Sequence, residues 1–193
     1  MPSRFRWFFY GVFLTAVVIF GGAYGYLASG YVSMATSAPP LPLEETVARI
    51  TLEASYRGSR DLQSLLPLNN ENLVAGARLF KSHCSGCHGL PGRSSTTLAN
   101  AMFPHPPQLF EKDQMVTDDP PGITYWVITH GIRLSGMPGF DKALSETERW
   151  QVTMMLAHAD KRQAIILEIS AQRIAGFAID CVLLRYCGSR GQK

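Results

Sequence analysis

Residues 7–27 make up the longest uncharged apolar run of the chain, 21 residues from Trp7 to Leu27. At about 1.5 Å rise per residue this run reaches across the roughly 30 Å hydrocarbon core of a bilayer. Trp7 and Tyr10 at one end, and Tyr24, Tyr26 and Tyr31 at the other, fit interfacial aromatic belts. A retained single-pass anchor over residues 1–28 is the expectation. A cleaved signal is the alternative: its apolar region is normally about 7–15 residues long, but Ala28-Ser29-Gly30 and Thr36-Ser37-Ala38 are small enough for cleavage. Arg4 and Arg6 precede the run and the next positive charge is Arg49. That asymmetry places the N-terminus in the cytoplasm and the chain beyond about residue 28 outside.

After the run the pattern changes. Residues 30–42 are small, polar and proline-rich, which suits an extended spacer. Together with residues 43–60, read as a short surface helix, and the connector 61–70, they make a linker over 29–69. Asn70 reads as the N-cap of a helix over 71–81. Gly76, Phe80 and Cys84 fall four apart and share one face of it. A glycine inside a helix costs about 1 kcal/mol against alanine, so a second helix is expected to cross closely there. That partner is the helix expected over 146–158, whose start is marked by the capping box Ser145-Glu146-Thr147-Glu148. Asp118-Asp119-Pro120-Pro121-Gly122 is a turn opening a helix over 123–130. Residues 89–121 are irregular, rich in Gly, Pro, Ser and Thr. A stretch of that length is unusual in a compact domain unless the chain wraps a rigid ligand. Strand patterns are absent, so the fold class is all-α, with one domain over 70–160 and a tail over 161–193.

Charge excludes little. The net charge is +3. Residues 71–160 carry seven Lys/Arg against nine Asp/Glu, and residues 161–193 six against two. No long basic run and no nucleic-acid motif is present, so no nucleic-acid partner is expected.

The chemistry lies in Cys84-Ser85-Gly86-Cys87-His88. Cys-x-x-Cys-His is the attachment signal for a c-type haem. Two thiols add across the haem vinyl groups, and the histidine beside the second cysteine reaches the iron from the same side. The motif occurs once, which implies one covalent haem. Cys-x-x-Cys is also half a zinc site or a redox dithiol. Cys181 and Cys187 are too widely spaced and too far along to complete a zinc site. A redox dithiol needs a strand before it and a helix after it; here a helical pattern precedes and a Gly/Pro/Ser stretch follows.

An electron-transfer haem takes a ligand opposite His88, and methionine raises its potential relative to a second histidine. The candidates are Met102, Met115, Met137, Met154, Met155, His83, His105, His130 and His158. Met137 is favoured because it stands in Ser135-Gly136-Met137-Pro138-Gly139-Phe140, where Gly136 allows close backbone approach and Pro138 stiffens the loop. Met102 is the leading rival. Met154 and Met155 read as core, and His83 as solvent-facing. His105 and His130 read as surface or propionate-side residues.

Gly76-x-x-x-Phe80-x-x-x-Cys84-x-x-Cys87-His88-Gly89, Gly131-Ile132, Gly136-Met137-Pro138 and Trp150 resemble the class I cytochrome c family in its short bacterial form. The resemblance covers about residues 70–160. It implies a helical domain around one haem, His88 and Met137 as iron ligands, and a first helix crossing the last near Gly76. It also implies that a proline carbonyl, from Pro104 or Pro106, accepts a bond from the His88 ring, and that Leu109 lines the haem edge. By the same resemblance Tyr125-Trp126 lies near the propionates. The tail departs from the family: its apolar run over 174–184 is broken by Asp180 and too short to span a membrane. A docking helix and the product of an altered reading frame both fit it.

The function expected from these residues is a membrane-anchored monohaem cytochrome on the outer face of the bacterial cytoplasmic membrane. There it passes single electrons between redox proteins and makes or breaks no substrate bond. The first alternative is a haem c subunit of a larger respiratory oxidase, reductase or dehydrogenase. A haem enzyme or gas sensor with an open distal site is the second.

Overall fold

The computed structural model describes residues 3–160, apart from 94, 112 and 115. The tail over 161–193, with Cys181, Cys187 and the run over 174–184, lies outside the described residues, as does the candidate Met115. The described part is all-helical, with no strand. The chain divides into two compact units, Met1–Val47 and Ala48–Lys193.

The first unit contains α1, Ser3–Ala28. Its side chains are exposed on every side, with Trp7 76% and Phe20 74% accessible. A helix apolar all round needs an apolar surrounding. Among the described residues it is the one helix long and apolar enough to cross a membrane. The spacer that follows is irregular, and Glu44 ends it by accepting a hydrogen bond from Leu41 N at 2.7 Å. Helix α2, Glu44–Tyr56, begins there and buries no residue.

The second unit takes in α2 from Ala48 onward, then a 3-10 turn, Arg57–Ser59, and α3 (Asn70–His83), α4 (Ser85–His88), α5 (Thr97–Ala101), α6 (Pro121–His130) and α7 (Glu146–Ala157). Helix α3 is capped by Asn69, not by the expected Asn70: the Asn69 side chain accepts from Asn72 N at 2.9 Å, and Asn70 is already helical. Helix α6 starts two residues before the expected Ile123, because Pro121 needs no N–H at the first helical position. Helix α7 begins at the expected capping box, Ser145 Oγ accepting from Glu148 N and Glu148 accepting from Ser145 N.

The core forms where α3 crosses α7. Leu73, Ala77 and Phe80 from α3 meet Val152, Met155 and Leu156 from α7. Each large side chain buried there contributes about 1.5–3 kcal/mol. At the crossing, a Cβ on Gly76 would overlap the carbonyl oxygen of Gln151. Met154 and Met155 are buried core residues, as expected.

The compact unit begins earlier than residue 70. A Cβ on Gly122 would overlap the carbonyl oxygen of Ser59 and stand 3.0 Å from Leu62 Cβ. Tyr56 meets Trp126 edge-on at 6.3 Å, and Leu66 packs against the core. The expected linker over 29–69 therefore ends as a strap seated on α6. Residues 57–66 carried no periodicity to announce that packing.

Candidate haem-binding site

Helix α4 is a single turn, and the motif occupies it. Cys84 closes α3 by donating its N–H to Phe80 O at 2.8 Å, and its own carbonyl accepts from Cys87 N at 3.1 Å and His88 N at 2.9 Å. Both thiols and the imidazole thus come from one rigid turn at the end of a core helix. Burial, and secondarily the neighbouring Cys87, pushes the Cys84 thiol up to about 12. Among the described residues no group of three or more His, Cys, Asp or Glu is placed to hold a metal ion.

His88 is half-buried, and its Nδ1 lies 2.9 Å from the carbonyl oxygen of Pro107. A carbonyl only accepts, so Nδ1 carries the proton and Nε2 keeps its lone pair. Burial lowers the ring's pKa below 6.5, with the Pro107 bond acting in the opposite sense. The acceptor is thus neither Pro104 nor Pro106. Gln108 accounts for the shift: its Nε2 donates to Cys87 O and Pro106 O, both at 3.1 Å, and Leu109 N donates to His88 O at 3.3 Å. These bonds lay residues 106–109 against the motif and use the Pro106 carbonyl, leaving that of Pro107 over the ring. Gly89 makes room for this: its φ is +72°, and a Cβ there would stand 2.5 Å from Gln108 Oε1. Pro106 is half-buried, and Leu109 lies in the core beside Phe110, whose ring meets Phe80 edge-on at 5.3 Å.

The methionine loop is built on the end of α6. Gly131 has φ +67°, and a Cβ there would stand 2.7 Å from Met137 O and 2.5 Å from Gly139 N. The loop closes through Ile132 N to Met137 O at 3.2 Å, and Met137 N donates to Ser135 Oγ at 3.2 Å. It returns through Phe140 N to Ile128 O and Asp141 N to Thr129 O. Met137, at the closing end of the loop, is half-buried.

Met102 occupies a position that its proline-rich surroundings did not announce. Its sulfur lies 3.9 Å from Cys87 Sγ, and a Cβ on Gly136 would overlap its methyl group. It therefore joins the motif turn to the methionine loop.

The other candidates lie elsewhere. His83 is exposed and edge-on to Phe140 at 6.1 Å. His105 Nδ1 faces Ala99 O at 3.3 Å, and His158 Nδ1 faces Met154 O at 2.8 Å. Trp126 stacks on His130 at 4.7 Å, whereas Tyr125 stacks on Trp150 at 4.1 Å. The Tyr125-Trp126 pair is therefore divided between α7 and the strap.

This donor set fits a c-type haem: two thiols and an imidazole with its Nε2 lone pair kept on one turn, the Met102 thioether beside Cys87, and Met137 on a loop whose Gly136 meets Met102. The family model described as cytochrome C oxidase, cbb3-type, subunit III matches residues 71–154. A search of curated proteins found no match. Among solved structures, a chain of a reducing HAO-like protein complex from Kuenenia stuttgartiensis is 26% identical, with a TM-score of 0.41, over 50% of this chain and 47% of that one. This chain thus covers about half the length of that structure. The matched family model, the all-helical domain and the geometry around Cys84, Cys87 and His88 point the same way: over residues 71–154 the chain is similar to a cytochrome c-type domain.

Proposed function

We propose that this protein is a membrane-anchored, single-haem cytochrome c, carrying one electron at a time between redox proteins on the outer face of the bacterial cytoplasmic membrane. The observation that carries the reading is the His88–Pro107 bond beside the two cysteines. It fixes the tautomer and aims Nε2 away from the protein backbone, as an axial ligand requires. Cys84 and Cys87 would each add S–H across one vinyl group, sulfur bonding to one carbon and hydrogen to the other, so no oxidant is consumed. His88 and Met137 would hold the haem iron, with Pro106, Leu109 and Trp126 lining the site. When bound, the haem supplies a one-electron Fe(III)/Fe(II) couple. The protein's part is to exclude water, hold both ligands through the redox change and leave the proton on His88 Nδ1.

Helix α1 would be the retained anchor. Arg4 and Arg6 at its start, ahead of the uncharged run over 7–27, with no positive charge again until Arg49, support an outward-facing haem domain. A second reading, an electron-transfer subunit of a larger respiratory complex, is favoured by the name of the matched family, which is an oxidase subunit. The test is to purify the protein from membranes in mild detergent, denature it and stain for haem. Haem that stays with the polypeptide through acid-acetone extraction supports the reading; extractable haem refutes it. A stable set of co-purifying subunits would select the second reading over a free carrier. Carbon monoxide binding by the untreated reduced protein would point instead to an open distal site.

A further inference from the structure

Arg149 lies in the first turns of α7 with its guanidinium turned inward. Nη1 donates to Leu144 O at 2.6 Å and to Asp141 O at 3.2 Å, and Nη2 donates to the Tyr125 hydroxyl at 3.3 Å. Its Cζ stands 5.6 Å from the centroid of the Tyr125 ring, which stacks on Trp150. Nε is buried without an acceptor. Among the described residues no carboxylate forms an ion pair with it. A partly buried, uncompensated charge with an orphaned donor is costly, so its position calls for a gain elsewhere.

What Arg149 grips is the stem through which the methionine loop returns. Asp141 and Leu144 bracket that stem. On its other side the same stem is tied to the end of α6, through Phe140 N to Ile128 O at 3.0 Å and Asp141 N to Thr129 O at 3.2 Å. The loop's entry is fixed separately, by Gly131 N to Val127 O at 2.8 Å. Helix α6 thus holds both feet of the loop, and one side chain from α7 holds its exit.

We propose that Arg149 is the positioning residue of the methionine loop: its forked donors lock the 140–144 stem and so set how firmly Met137 is held on iron. The part concerning iron rests on the ligand assignment proposed above; the grip on the stem does not. The fork, and not the charge alone, is what the geometry uses, because three acceptors are served at once. Nη1 serves both carbonyls and Nη2 the tyrosine hydroxyl; a lysine ammonium has one nitrogen and cannot reproduce both positions.

The experiment uses the full-length, haem-loaded protein and its variants Arg149→Lys and Arg149→Met. Amide hydrogen exchange at Phe140 and Asp141 is measured beside titration of the oxidised protein with imidazole, which competes for the methionine's place. In both variants exchange at the two amides should rise by about tenfold or more, as expected for loss of charge-assisted hydrogen bonds. Imidazole should bind more tightly by a similar factor. Exchange that stays at the parent level in Arg149→Met overturns the proposal, and so does full rescue by Arg149→Lys, which would show that charge alone matters. A parent protein lacking the sulfur-to-iron absorption band would refute Met137 as ligand, while the exchange data would still decide the role of Arg149. If Arg149→Met does not load haem, Tyr125→Phe removes one acceptor and keeps the ring stack. It should raise exchange at the same amides by a smaller factor, and no change there overturns the proposal.

Discussion

Gly76 of α3 lies directly against the carbonyl of Gln151 in α7, with no room for a Cβ between them. Nearby, Gln151 Nε2 donates to Asn72 Oδ1 at 3.0 Å, so the crossing is held by a side-chain bond as well as by contact. The motif turn hangs from the end of α3, and the methionine loop leads into α7. The crossing therefore sets where the two halves of the haem site stand.

Gly76→Ala is accordingly expected to destabilise the domain. Alanine would gain about 1 kcal/mol of helix propensity. The overlap is with backbone, which no rotamer can relieve, and overpacking of that kind costs about 1–3 kcal/mol. An overlap with backbone belongs at the upper end of that range, so the net expectation is a loss of about 2 kcal/mol in denaturant unfolding, with partial loss of haem occupancy. A variant as stable as the parent would mean that the helices do not cross at this residue.

Met137→Ala should abolish the sulfur-to-iron band of the oxidised protein, lower the potential and admit carbon monoxide to the reduced form. Met102→Ala should keep the band. Met102 reaches both Cys87 and the Gly136 backbone, so its loss removes packing between the motif and the loop. A destabilisation of about 2–5 kcal/mol is the upper range for a Met→Ala change in a core, and half-buried Met102 should fall at or below its lower end. If Met102→Ala is the variant that loses the band, the ligand assignment is wrong.

The elements legible in the sequence were those with a local signature. The long uncharged run, the Ser145–Glu148 capping box and the Gly76 face each depend on residues a few positions apart, and the structure has α1, α7 and the helix crossing where they were expected. The misses have a common cause. Asn69 and Asn70 are equally good caps, and only the direction of the incoming chain selects Asn69. Pro104, Pro106 and Pro107 all offer carbonyls, and the choice of Pro107 is made by Gln108 bonding back across 21 residues to Cys87. The strap over 56–66 announced itself only through Gly122, read as part of a turn although its missing side chain is what lets Ser59 approach. Met102 and Arg149 act through partners far along the chain, and spacing is blind to those. The iron-ligand roles themselves rest on the motif and the family resemblance together.

Acid should weaken the start of α7 through Glu148. Its carboxylate accepts from the Ser145 backbone N–H and from the Ser145 hydroxyl, each at 2.8 Å. Those bonds, the backbone one first, hold its pKa below the ordinary 4.5. A carboxyl with a lowered native pKa binds protons more readily when unfolded, so the stability it contributes is fully present above pH 4.5 and is lost as pH falls through the native value. Glu148→Gln should be less stable than the parent at pH 7, and the difference should close as the pH drops toward 3. Urea unfolding of both proteins across that range is the check. A difference that stays constant would show that the carboxylate's charge plays no part in the cap.

The N-terminal helix should remain on the mature protein. Residues 7–27 are uncharged, and the 26 residues of α1 rise about 39 Å, more than the hydrocarbon core requires. Signal peptides have shorter apolar cores, of about 7–15 residues. Retention also has a functional consequence: a tethered haem domain samples a small volume above the membrane, so encounters with membrane-bound partners gain from a high effective concentration. Intact-mass analysis of the protein from membranes should find Arg4 and Arg6 still present. Protease added to the outside of sealed, right-side-out vesicles should release a haem-containing fragment, cut within the spacer after residue 28. A mature N-terminus between residues 29 and 39, with the haem recovered in the soluble fraction, would show that the segment is a signal and that the protein is a diffusing carrier.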